Sequence, residues 1–148
     1  MEPNARNYYR IARRTAGYTQ ERWAECIGVS PDSVRRYESG EQMPSDEVVR
    51  SMAEISGLSQ VCYWHVCNKS ALAASILPRV ERLPLPQAVL QLIASMSEFT
   101  DHCDELIKLA ADGTIDESER PDFERIAAAL DGVVKAAIQL RYAEGGGL

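Results

Sequence analysis

The stretch that decides the fold is TQERWAECIGVSPDSVRRYESGEQMPS, residues 19–45. Thr19 precedes a helical pattern as an N-cap, whose side-chain oxygen takes up a free N–H of the first turn. The pattern predicts a helix over Gln20–Ile27, ended by Gly28. Ser30 opens the next helix in the same way, with Pro31 at its first position, where a missing N–H costs nothing. That helix runs to Ser39 and stops at Gly40. Ala24 is small enough to let the second helix approach, and Gly28 stands where the turn asks for a positive φ. Trp23, Ile27 and Val34 supply the inward face. An alanine, a glycine four on and an aliphatic six later are the pattern of two short helices packed across a tight turn.

Helical patterns continue on both sides. A first helix is expected over residues 5–16, ended by Gly17. Ser45 caps a fourth over 46–56, and further helices are expected over 59–67 and 70–77. Strand-like alternation is brief and lacks hairpin turns. Residues 78–87, PRVERLPLPQ, hold three prolines and read as a linker. Two long helices follow. In the first, Leu85, Val89, Leu92, Met96, Phe99, Cys103, Leu106 and Ala110 form a heptad seam. In the second, Phe123, Ile126, Leu130, Val133, Ala137 and Leu140 repeat it. The expectation is an all-α chain. A helical domain over 1–77, which holds the two-helix unit, is followed by a linker over 78–87, an antiparallel helical hairpin over 88–143 and a flexible tail over 144–148. Leu90, Ile93, Ile107, Val134 and Ile138 make each stripe too wide for a lone hairpin to cover. The excess must bury against the preceding helices of the same chain or against a second copy; a homodimer is expected, with Val89, Leu92, Met96, Phe99, Leu106, Phe123, Ile126, Leu130, Val133 and Leu140 at its interface.

Charge separates the two halves. The chain has 148 residues and a formal charge of −6. Residues 1–69 carry 9 basic and 9 acidic side chains, while residues 70–148 carry 7 against 13. The excess negative charge thus lies outside the half that holds residues 19–45, and residues 1–38 hold seven arginines against five acids. No apolar run approaches the roughly 18–20 residues that cross a bilayer. The start, MEPNARNYYRIARR, lacks the apolar core of a signal peptide. A cytoplasmic protein with no membrane partner is expected, and the four spaced cysteines agree with a reducing compartment.

Residues 6–57 resemble the phage-repressor/Cro-type helix-turn-helix family, often called XRE. The matching residues are the helix end from Arg13 to Gly17, Thr19-Gln20, Ala24, Gly28-Val29-Ser30, Val34, and Glu38-Ser39-Gly40 followed by Pro44. The resemblance implies a five-helix, lambda-repressor-like domain that binds double-stranded DNA, usually as a dimeric transcription regulator. It implies a phosphate contact for Gln20 at a helix N-terminus. It also implies that Ser30, Pro31, Asp32, Ser33, Arg35 and Arg36 face the major groove, with Ser39 and Gln42 in the adjoining loop. Arg36 suits the O6 and N7 of guanine. Asp32 suits a cytosine amino group, or else a capping role. Arg13 and Glu38 match positions that form an internal ion pair. Arg10, Arg14 and Arg22 are phosphate contacts or a solvated face. Where many relatives carry Lys or Arg, the loop has Glu41 and Gln42.

Other letters invite readings that the chemistry does not support. DGTIDESE, residues 112–119, resembles half of a calcium loop, yet Lys108 and Ala110 would fall at positions that need carboxylates. An Asp116–Glu119 capping box explains the same letters. Cys62, His65 and Cys67 lack a nearby fourth ligand and read as buried cysteines beside a satisfied or exposed histidine. With two histidines and no catalytic constellation, no enzyme, metal or cofactor is expected. The reading is a sequence-specific transcription regulator, a repressor, whose C-terminal part self-associates and offers a surface for a protein or small-molecule effector. The competing reading is an antitoxin- or antirepressor-like module whose helix-turn-helix docks a protein.

Overall fold

A computed structural model gives the architecture and describes residues 7–144. The chain divides into two compact units, Met1–Leu77 and Pro78–Leu148. The first holds α1 (Tyr8–Thr15), α2 (Gln20–Ile27), α3 (Pro31–Ser39), α4 (Asp46–Ser56), α5 (Gln60–Lys69) and α6 (Ala71–Ile76). The second holds α7 (Leu85–Asp101), α8 (Cys103–Leu109) and α9 (Arg120–Arg141). Apart from one isolated bridge between Pro84 and Glu144, the described regular structure is helical.

Caps set most helix starts in the first unit. The side chains of Thr19, Ser30 and Ser45 each accept a backbone N–H from the first turn of α2, α3 and α4. Each such cap contributes about 1 kcal/mol. Asn7 caps α1 by accepting from the N–H groups of Tyr9 and Arg10, so α1 begins at Tyr8. Residues 5 and 6, expected in this helix, lie outside the described residues. The core gathers Tyr8, Tyr9 and Ala12 of α1, Trp23, Ala24 and Ile27 of α2, and Val34 and Tyr37 of α3. Val49 and Met52 of α4, Leu58, and Val61 of α5 complete it.

A chain of polar contacts ties α1, α4 and α5 together. The Tyr9 hydroxyl lies 2.7 Å from Nδ1 of the buried His65, and Nε2 of His65 lies 3.1 Å from Asp46. Lys69 donates to the same carboxylate at 2.6 Å. The hydrogen bonds from Lys69 and His65 hold the Asp46 carboxyl below its usual range, so it is ionised and Nε2 carries the proton. Burial pushes the Tyr9 phenol up, so it is the neutral phenol that meets Nδ1.

In the second unit α7 and α9 run antiparallel. The Leu85 N–H donates to the Glu144 carbonyl, and the Glu144 N–H donates to the Leu83 carbonyl. At the other end Arg125 of α9 reaches Glu105 of α8 at 2.7 Å and His102 at 3.1 Å. Three expectations change here. The linker is shorter than residues 78–87, because Pro84 and Pro86 sit at a helix start, where their missing N–H groups are tolerated. The first long helix is two helices: the His102 N–H bonds Phe99 and Thr100 instead of completing a regular turn. The hydroxyl of Thr100 and the thiol of Cys103 also bond back to carbonyls four residues earlier, a contact that bends helices. Glu144, assigned to a flexible tail, is held by its backbone, and residues 145–148 lie outside the described residues.

Candidate nucleic-acid interface

Three residues turn the chain from α2 into α3. Gly28 adopts φ 73°, a left-handed conformation that a Cβ would strain. The Val29 N–H then bonds the Ala24 carbonyl at 3.0 Å, and Ser30 is extended. Trp23, Ala24, Ile27, Val34 and Tyr37 are all buried beneath this turn. The opposite side of α3 is thereby left outward. Pro31, Asp32, Arg35, Arg36 and Ser39 are exposed, with Ser33 half-buried.

The far end of α3 is anchored through a buried carboxylate. Glu38 is 5% exposed. It accepts from Arg13 through Nε and, at 3.1 Å, Nη2, and from the Gln20 amide at 3.0 Å. Arg10 lies 3.5 Å away. Burial pulls the Glu38 carboxyl up, but hydrogen bonds from Arg13 and Gln20 and the charges of Arg13 and Arg10 outweigh it and leave it below its ordinary range. Arg13 also donates to the Tyr18 carbonyl at 2.8 Å. The Asn7 amide donates to the carbonyls of Tyr37 and Glu38, each at 3.0 Å. Sequence reasoning missed Asn7, although an Asn directly before an apolar run is a recognisable cap signal. The Gln20 amide, expected on a phosphate, is placed on Glu38 and links α2 to this network.

The outward face mixes cations with acids. Asp32 accepts from Arg35 at 2.9 Å and lies 3.0 Å from Nε of Arg36. Arg22 pairs with Glu25 at 2.8 Å. The Ser30 hydroxyl accepts the Ser33 N–H and lies 2.9 Å from the Ser33 hydroxyl, while Ser39 donates to the Arg36 carbonyl. After Gly40 the Gln42 N–H bonds the Arg36 carbonyl, and Glu41, Gln42 and Met43 are exposed.

Residues 8–61 match the family model of a helix-turn-helix domain. The match begins at the start of α1 and ends just inside α5, so it contains the α2–turn–α3 unit and the Arg13–Glu38 anchor. No curated protein and no solved structure matches the chain. In helix-turn-helix domains generally, the second helix of the motif is the one that meets DNA. The second helix of the motif in this chain is α3.

The residues expected at a dimer interface fall into two sets. Ile126 is buried and Leu92, Phe99, Leu106, Val133 and Leu140 are half-buried, all within the hairpin. Val89, Met96, Phe123 and Leu130 are exposed. The inward positions of α7 are Ala88, Leu92, Ser95 and Phe99, and those of α9 are Ile126, Ala129, Val133 and Ala136. Val89, Ile93 and Met96 each follow an inward position of α7, and Leu130 and Val134 each follow one of α9. On two right-handed helices running opposite ways, that one-residue step turns both sets to the same side of the pair. The hairpin therefore carries one apolar face made by both arms.

Among the described residues no group of three or more metal-ligating side chains comes together, and no helix is long and apolar enough to cross a membrane. Asp116 and Glu119 cap reciprocally: the Glu119 N–H donates to the Asp116 carboxylate, and the Asp116 N–H to the Glu119 carboxylate.

Proposed function

We propose that this protein is a sequence-specific DNA-binding transcription regulator of the phage-repressor/Cro type, a repressor that acts as a dimer. The observation that carries the reading is the outward half of α3, from Pro31 to Arg36. It stands on a helix fixed at its other end by Arg13, Gln20 and Asn7. A reading helix must be held rigidly while its free face meets base edges. Arg36 and Arg35 supply cations there, and Pro31, Asp32 and Ser33 occupy the first turn. The apolar face of the hairpin gives the second copy its place. α7 carries no charged residue from Leu85 to Ser97, although Leu90, Ile93 and Met96 are 67%, 59% and 52% exposed. An exposed apolar stripe on so long an uncharged stretch suits a surface that a partner covers. Two copies joined through their hairpins supply the paired reading helices that a two-fold operator needs.

A second reading has one specific observation in its favour. The exposed cations Arg22, Arg35 and Arg36 are each paired with an acid, and Glu41 replaces a cation in the loop. That arrangement weakens attraction to phosphate and suits a helix-turn-helix that docks a protein.

Fluorescence anisotropy with pooled genomic fragments at about 50 and about 200 mM salt separates the two, since phosphate contacts weaken steeply over that range. Selection of a subset with paired half-sites, lost in Arg36→Ala, is the expected result. No binding at the lower salt overturns the DNA reading.

A further inference from the structure

Asp32 pairs with two arginines one turn along α3, at i+3 and i+4, and takes no part in the cap. It is the second residue of α3, yet the cap is Ser30, whose hydroxyl accepts the Ser33 N–H. Both Asp32 oxygens turn instead to arginines. Oδ1 takes Arg35 Nη2 at 2.9 Å, and Oδ2 lies 3.0 Å from Arg36 Nε. The three side chains are 53%, 63% and 54% exposed, so they meet on the surface, on the helix face offered to DNA. One carboxylate thus stands beside both candidate reading cations.

The atoms used decide what is left. A guanidinium carries five N–H donors in a rigid planar fork. Nε of Arg36 lies 3.0 Å from Asp32 as an ion pair, and the edge between its two Nη nitrogens meets no partner among the described residues. Two nitrogens on one edge are what the O6 and N7 of guanine require. An arginine on a free stem meets phosphate as readily as a base. A carboxylate beside its Nε repels phosphate and favours the orientations in which that side of the fork faces the carboxylate.

We infer that Asp32 is a specificity-determining positioning residue: its carboxylate aims the Arg36 fork at a guanine edge and penalises phosphate contact by Arg35 and Arg36. This rests on the DNA reading proposed above. Selectivity is raised by a built-in repulsion against the wrong contact, at the expense of affinity.

The test compares the full-length wild type, Asp32→Ala, Asp32→Asn and Arg36→Ala, each checked for native helix content by circular dichroism. Each is used to select from a randomised double-stranded oligonucleotide library. Each is also titrated against one mixed-sequence duplex across a salt series. Arg36→Ala marks the base pair that Arg36 reads. The expected result is that Asp32→Ala weakens preference at that same base pair by roughly tenfold. It also binds the mixed-sequence duplex several-fold more tightly, with a salt dependence steeper by up to about 0.9 for each additional phosphate neutralised. Asp32→Asn falls between. Loss of preference at a different, cytosine-bearing position makes Asp32 a direct reader and overturns the inference. Unchanged preferences, or unchanged salt dependence, overturn it too. If the wild type itself enriches no motif, the DNA reading fails and this inference falls with it.

Discussion

Arg13 of α1 grips the Glu38 carboxylate of α3 with two nitrogens, one on each oxygen, at a site where Glu38 is almost wholly removed from water. The contact joins the first helix of the domain to the end of its outward helix. A charge this buried needs partners, because removing one partner leaves the other desolvated and unpaired. Arg13→Met leaves Glu38 with Gln20 and Arg10. It is expected to destabilise the first unit by about 2–4 kcal/mol, at or below the usual cost of orphaning a buried ion. Arg13→Met combined with Glu38→Leu recovers most of that loss. Urea unfolding followed by tryptophan fluorescence measures it, since both tryptophans, Trp23 and Trp64, lie in that unit. A single variant that unfolds at the wild-type urea concentration shows that Arg13 does not anchor α3.

Acid acts on the same pair. The folded Glu38 carboxyl lies below its ordinary 4.5, so on acidification the unfolded chain binds a proton before the folded one does. The stabilisation is complete above the ordinary value and disappears as pH falls through the lower, folded one. Asp46, held low by Lys69 and His65, acts in the same direction. The urea midpoint of the first unit is expected to fall between about pH 5 and pH 3, and to fall less steeply in Glu38→Gln. Equal slopes in the two proteins assign the acid sensitivity to other carboxylates.

Much of this architecture is written locally. Thr19, Ser30 and Ser45 each stand one residue before a helix, and Gly28, Gly40 and Gly57 each stand one residue after, so the starts and stops of α2, α3 and α4 are legible without tertiary information. Contacts between distant residues are not. Tyr9, His65 and Asp46 come from three helices, and nothing in their spacing brings them to one point. Arg13 and Glu38, twenty-five positions apart, are joined in the sequence only by resemblance to a family.

The hairpin shows a different limit. In α7 both 85, 88, 92, 95, 99 and 85, 89, 92, 96, 99 keep a heptad rhythm. The sequence reading takes the second because Val89 and Met96 are large. The fold takes the first, because the small side chains Ala88 and Ser95 of α7 and Ala129 and Ala136 of α9 turn inward and let the two helices approach closely. Choosing by hydrophobicity alone therefore picks the outer face of the hairpin for its seam.

His65 links three helices through two hydrogen bonds, and the Tyr9 side can be removed without a change of shape. Tyr9→Phe deletes the hydroxyl and leaves Nδ1 of a buried ring without its partner at 2.7 Å. A buried polar atom left unpaired costs about 1–3 kcal/mol. The loss is expected in the urea midpoint of the tryptophan signal, with the fold kept by circular dichroism. His65→Ala is expected to cost more, since it also opens a cavity beside the Tyr9 ring. A Tyr9→Phe protein as stable as the wild type shows that the bond contributes nothing to the native state.

The apolar face of the hairpin makes the dimer testable apart from DNA. Ile93 is 59% exposed, so Ile93→Glu disturbs the hairpin little when the chain is alone. In a dimer stacked through Val89, Ile93, Met96, Leu130 and Val134, the same change places two carboxylates against an apolar surface with no partner. Sedimentation equilibrium is expected to give about twice 16.4 kDa for the wild type and 16.4 kDa for Ile93→Glu, with helix content unchanged. Ile126→Asp, which places the charge inside the seam where Ile126 is 2% exposed, is expected to lose helix content as well as the dimer. The contrast between these variants distinguishes an outer-face dimer from one that exchanges hairpin arms. In an exchanged dimer the seam holds both copies together, Ile93 stays at the surface, and Ile93→Glu leaves the mass at the dimer value. A wild type that sediments as a monomer at tens of micromolar removes self-association from the proposed function, and the face must then serve another protein.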